Sequence, residues 1–205
     1  MPMTIQETQI QFGDTTLSFE QIAGLAAHYD KIVPKTRTRE GDGAALCQNA
    51  FPAEALNRFI RKVCAWGGYT GIAGRVLRNN SSTRLHAQFL AAQTAMQGDQ
   101  PDVAAALVAL NQLHGLGRPS FASKHLRLIW PRWCPVLDRF IRYGLDYAYD
   151  PVGYRQFADD CGRLALKLSA TGIQNPISRD DGIWFVADVE AAIYTHLRGW
   201  GSHTE

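Results

Sequence analysis

A lysine and an aspartate, Lys124 and Asp138, stand in a basic and aromatic stretch of this chain. A lysine attacks carbon once its ammonium has lost a proton, and burial or neighbouring cations favour that loss. A lone carboxylate among arginines and tryptophans is poised as an electrostatic or basic catalyst, although acids near helix starts are common in any protein. Between Gln112 and Tyr143 the cations are Arg118, Lys124, Arg127, Arg132, Arg139 and Arg142, and Asp138 alone opposes them. Trp130, Trp133 and Phe140 are interleaved with them. Such a patch suits contact with a nucleic-acid backbone, although a solvated helix face would read the same way.

Immediately upstream lies L-x-x-L-x-G-L-G, with Leu110, Leu113, Gly115 and Gly117 at its fixed positions and Leu116 expected to point into the core. Two glycines permit a sharp turn and close backbone approach. A helix starting directly afterwards would present free N–H groups, which can hold a phosphate without reading sequence. A plain pair of helices with glycines in the turn remains the alternative. Pro135 in P-V-L-D is expected to open a helix, which puts Asp138 in its first turn, where the helix dipole favours a carboxylate.

Taken together, the glycine hairpin, a short helix and then P-V-L-D resemble the signature segment of the helix-hairpin-helix DNA glycosylase superfamily. The A-S-K-H-L run looks most similar to bacterial proteins with an 8-oxoguanine DNA glycosylase fold. The likeness covers residues 110–143. It implies a DNA-binding enzyme of base excision, a hydrolase that flips out a modified base and cuts its glycosidic bond, with or without lyase action at the resulting abasic site. The base would be oxidised guanine, in DNA repair, or a bulky modified base of phage DNA, in antiviral defence. Asp138 falls on the family's catalytic aspartate.

The family's lysine nucleophile lies about two residues past the second glycine, where this chain has Pro119 and Ser120. Lys124 comes four residues after Ser120, on the same helix face about one turn along. Two readings stay open. Either Lys124 is a displaced nucleophile, or it is a phosphate or structural cation and a water activated by Asp138 does the cutting. The resemblance further implies that Gly115, Gly117 and Ser120 grip a phosphate, assisted by His114, Arg118, His125 and Arg139. For the base pocket it implies an acid four residues before an aromatic, met by Asp180 and Trp184 with Asp181 adjacent; Trp66 is a second candidate wall. No catalytic metal or cofactor is expected, beyond the structural monovalent cation that hairpin carbonyls of the family often hold. A non-catalytic DNA-binding module with the same fold is the alternative, favoured by the displaced lysine. A helical adaptor with no nucleic-acid role would have its arginines scattered.

The elements that must position these residues are mostly helical. Residues 4–18 alternate around Gly13-Asp14, as a small hairpin would. Helices are expected at 19–29, from Pro52 through Trp66, after Asn79-Asn80-Ser81, and at 103–113, 120–129, 135–149, 154–170 and 182–198. Residues 34–50 lack an apolar period and read as a loop, and Tyr69, Gly71 and Gly74 as a glycine-rich turn. The expected fold is all-α, eight to ten helices in a single domain over 1–205, with the hairpin element near 103–129.

The chain has 205 residues, 46% hydrophobic and 20% charged, with a net charge of +2, so a nucleic-acid role would have to lie in the distribution of charge. Cys47, Cys64, Cys134 and Cys161 form no C-x-x-C pair and no zinc or iron–sulfur spacing, and read as reduced thiols. With no signal-peptide pattern and no membrane-length apolar run, a cytoplasmic monomer is expected.

Overall fold

In a computed structural model, which describes residues 2–177, 179 and 182–200, the chain is all-α apart from one small sheet. The strands β1 (Thr4–Ile5), β2 (Gln9–Phe12) and β3 (Thr15–Ser18) form an antiparallel meander, with Ile10 opposite Leu17 and Phe12 opposite Thr15. Ile10, Phe12 and Leu17 are buried, so the sheet closes one edge of the core. Ser18 then caps α1 (Phe19–Ile32): its hydroxyl accepts from Gln21 N–H, and the Gln21 side chain accepts from Ser18 N–H. The expected hairpin is therefore one strand larger than the sequence implied.

The amphipathic α3 (Ala53–Trp66) buries Leu56, Phe59, Ile60 and Val63. It is followed by α4 (Gly71–Asn79), α5 (Ser82–Ala95), α6 (Val103–Asn111) and α7 (Ser120–Ile129). The short α8 (Arg139–Leu145), the long α9 (Pro151–Ala170) and α10 (Val186–Leu197) complete the chain. Helix α1 packs along α10, α5 along α6, and α9 against both α6 and α10. One contiguous apolar core joins them, with Phe19, Phe89, Leu107, Leu110, Tyr154 and Phe157 at its centre.

Three expectations require correction. Residues 34–50 are not a loop: Thr36–Gln48 form α2. Its buried positions, Thr36, Glu40, Gly43 and Leu46, do follow helical spacing, but the side chains are polar or absent and an apolar-period search misses them. A Cβ at Gly43 would overlap the Leu128 carbonyl oxygen, so glycine lets α2 approach the backbone of α7. The glycine-rich stretch after Tyr69 is α4, held by buried Ile72, Ala73 and Val76. Helix α8 does not begin at Pro135. Residues 135–137 are non-helical, pinned by the Ser123 hydroxyl accepting from Leu137 N–H (3.0 Å) and by Tyr154 O–H donating to the Pro135 carbonyl (3.1 Å). The helix ends at Leu145, with Asp146 in the left-handed region at φ 56°.

Candidate active site

Helices α6 and α7 form the expected hairpin. Gly115 and Gly117 both have φ of 83°, a conformation that disfavours any side chain. The turn is exposed at Gly115, Gly117 and Arg118, while Leu113 and Leu116 are buried beneath it. Asn80 staples it from below: its amide N–H donates to the His114 carbonyl (3.0 Å) and its oxygen accepts from His114 N–H (3.0 Å). The turn carbonyls of Gln112 and His114 already accept from Arg84 and Asn80, and that of Gly117 from Phe121 N–H. Committed in this way, these carbonyls are a poor donor set for a monovalent cation. Among the described residues, no group of His, Cys, Asp and Glu side chains could hold a metal ion.

Helix α7 carries Lys124 from this turn into the wall of a cavity of about 600 Å³. The stem of Lys124 lies over the backbone of Gly67, where a Cβ would sit 2.9 Å from Lys124 Cδ and 2.9 Å from the Phe121 ring. Nζ donates to Ser120 Oγ (2.9 Å) and lies 3.8 Å from Asp138 Oδ2. Burial pulls the Lys124 ammonium below its ordinary range, and the Asp138 carboxylate opposes that fall.

Asp138 is the N-cap of α8, one residue before the helix rather than within its first turn. Its Oδ1 accepts from Phe140 N–H (2.9 Å) and Ile141 N–H (3.2 Å), which leaves Oδ2 turned toward Lys124. The same side chain therefore starts a helix with one oxygen and faces the amine with the other.

The cavity walls are aromatic. Trp66 lines one side, its Nε1–H donating to Thr36 Oγ1 (3.0 Å), with Tyr29, Tyr149 and Tyr194 around it. At the mouth stand the exposed Tyr69, 61% accessible, and the exposed Arg139 and Arg198. The Arg198 guanidinium lies 4.4 Å from the Phe140 ring and 4.8 Å from that of Trp200. Glu190, from α10, also lines the cavity although it is 4% accessible. Burial pushes its pKa up to about 7, against the pull of Arg127. Sequence reading missed Glu190. The available signal was α10 itself: a helix apolar nearly all round is buried, so its acids must face partners.

The remaining candidates divide. Gly115, Gly117, Arg118 and Arg139 are exposed, and Trp66 is on the cavity wall. Ser120 lines the cavity, but its hydroxyl accepts from Lys124. His125 is not a surface residue: it is fully buried against Phe59 and Phe89, its Nδ1 2.6 Å from the Phe121 carbonyl, and no strand can reach it. Arg127 is also interior, 1% accessible. It donates to Glu40 (2.7 Å), while Arg179 bridges Glu40 (2.7 Å) and Asp188. Of the basic run, Arg118, Arg132, Arg139 and Arg142 are exposed. Trp184 is absent from the cavity wall: it is 4% accessible and its Nε1–H donates to the Ile173 carbonyl (2.9 Å). Asp180 and Asp181 lie outside the described residues.

Comparison with protein-family models, curated proteins and solved structures gives no match. Among the described residues, no helix is long and apolar enough to cross a membrane.

Proposed function

We propose that this chain is a DNA glycosylase with a lysine nucleophile, acting on a modified base flipped into the aromatic cavity. The observation that carries the reading is the 3.8 Å approach of Lys124 Nζ to Asp138 Oδ2 in the wall of that cavity. A desolvated lysine holds more neutral amine at neutral pH and is the better nucleophile for it. The carboxylate beside it offsets positive charge that grows on the sugar as the base leaves. Exposed Gly115, Gly117 and Arg118, in the turn that leads into the helix of Lys124, are suited to a phosphate of the same strand.

Cavity size and lining favour a bulky base over oxidised guanine. About 600 Å³ is in the range of pockets that enclose whole organic ligands. The acid and tryptophan pairing that would suit a tight guanine site has its tryptophan packed in the core. Trp66 and Tyr194 offer flat faces for the flipped base, and Arg139 and Arg198 offer charge for the backbone at the mouth. The position of Lys124 beside Asp138 supports the catalytic reading over a non-catalytic module of the same fold.

The test is incubation with duplexes bearing different base modifications, followed by mass analysis of released bases and borohydride trapping. A covalent adduct with wild type that is absent in Lys124→Gln supports the reading. Release of base without trapping would assign the attack to water, and DNA binding with no release from any duplex would reduce the chain to a binding module.

A further inference from the structure

The acids of the interior are not equally committed. Glu40 accepts from Arg127 and Arg179 at 2.7 Å each, and Asp188 accepts from Arg179, Asn175 and Phe185 N–H. Glu190 takes a hydrogen bond from Val136 N–H and meets Arg127 at Nε, 3.6 Å away, too far for a hydrogen bond, so that this N–H has no hydrogen-bond partner. Glu190 also lines the cavity, together with Lys124 and Asp138.

We infer that Glu190 is the proton shuttle of this cavity, giving a proton to the departing base and taking one back from the Lys124 nitrogen. The inference rests on the glycosylase reading above. The electron pair of the neutral Lys124 amine forms the bond to the sugar C1′. The bond from C1′ to the base nitrogen breaks, and its pair stays on the base. Glu190, as the carboxylic acid, protonates that base, which leaves neutral. The attached Lys124 nitrogen is now an ammonium, and it returns one proton to the Glu190 carboxylate. The acid is regenerated, with no other co-reactant.

The surroundings fit a group that must change charge. Glu190 faces Lys124 and Arg127 from α7, Asp138 from the cap of α8, Tyr29 from α1, and Tyr154 and Cys161 from α9, with Tyr194 one turn along α10. Burial and Asp138 favour its acid form, whereas Arg127, Lys124 and the Val136 N–H favour the carboxylate, so both forms are accessible near neutral pH.

The experiment compares wild type with Glu190→Gln on duplexes carrying 8-oxoguanine or a pyrimidine bearing a sugar. Single-turnover base release is followed across pH, beside borohydride trapping on a duplex with a preformed abasic site, which has no base to protonate. Wild-type release should slow as pH rises past about 7, when the acid form is lost. The Gln variant should release base about a hundredfold more slowly and lose that alkaline limb, while abasic-site trapping, which needs the proton return from Lys124 but no proton for a base, should fall clearly less. Equal loss of release and trapping, or release with an unchanged pH profile, would overturn the shuttle. If Glu190→Gln does not fold, the wild-type profile decides alone: no decline above pH 7 overturns it. Failure of wild type to release any base while still binding DNA would instead overturn the glycosylase reading itself.

Discussion

Gly67 ends α3 where the stem of Lys124 crosses it, and the missing side chain is the space the lysine uses. A Cβ there would stand 2.9 Å from Lys124 Cδ and 3.2 Å from Cε. Gly67 has an ordinary negative φ of −73°, so alanine is tolerated by the backbone and the conflict is confined to Lys124 and Phe121. Gly67→Ala should cost about 1–3 kcal/mol of stability by overpacking against Phe121 and lower adduct formation by about ten- to a hundredfold, as small displacements of a reacting group do. Trapping at the wild-type rate would show that the stem yields without moving Nζ.

Asp138 has two jobs that substitutions can separate. Asparagine keeps an oxygen for Phe140 N–H and Ile141 N–H, whereas alanine removes the cap and should cost about 1 kcal/mol of stability. Both should reduce base release strongly. Because the Asp138 carboxylate raises the Lys124 pKa, Asp138→Asn should shift the acid limb of abasic-site trapping to lower pH. An unmoved acid limb would mean the two groups do not communicate at their 3.8 Å separation.

His125 makes the protein sensitive to acid. Its Nδ1–H donates to the Phe121 carbonyl, Nε2 has no partner, and burial pulls its pKa down to about 4 from an ordinary 6.5. The folded pKa is below the unfolded one, so the unfolded chain binds the extra proton between these values. The associated stability is full above about pH 6.5 and is lost as pH falls toward 4. Chemical denaturation at pH 7 and pH 5 should show a smaller difference in His125→Gln than in wild type. An equal difference in both would assign the acid sensitivity elsewhere.

The interior arginines and the surface arginines should respond oppositely to truncation. Glu40→Ala leaves Arg127 and Arg179 short of a buried partner and should cost about 3–5 kcal/mol, seen as a lower denaturant midpoint. Arg118→Ala and Arg139→Ala should change stability by less than about 0.5 kcal/mol. Each should weaken DNA binding and flatten its salt dependence by about one counterion. A salt slope unchanged in both would remove them from the proposed interface.

Legibility in the sequence followed the chemistry of each element's buried face. Helix α3, with Leu56, Phe59, Ile60 and Val63, was readable because apolar residues carry its period. Helix α2 was not, because Thr36, Glu40 and Gly43 carry the same period through hydrogen bonding and close approach. Of the candidate site, the Lys124 and Asp138 pair could be guessed from a local run, since only the end of α7 and one non-helical stretch separate them. Glu190 and the partners of Arg127 come from α10 and α2, distant in sequence, and no local pattern announces them. His125 and Arg127 looked like surface cations for the same reason: residue type was visible, while the side of the helix they occupied depended on packing.

The Glu40–Arg127–Arg179–Asp188 cluster has a consequence for how the molecule would respond to its medium. Mobile ions cannot enter to screen charges that are a few per cent accessible, so this scaffold should hold its shape from dilute buffer to concentrated brine. The arginines at the rim enjoy no such shelter. Ionic strength is thus a dial that would loosen a polyanion from the mouth while the chamber behind it stays assembled.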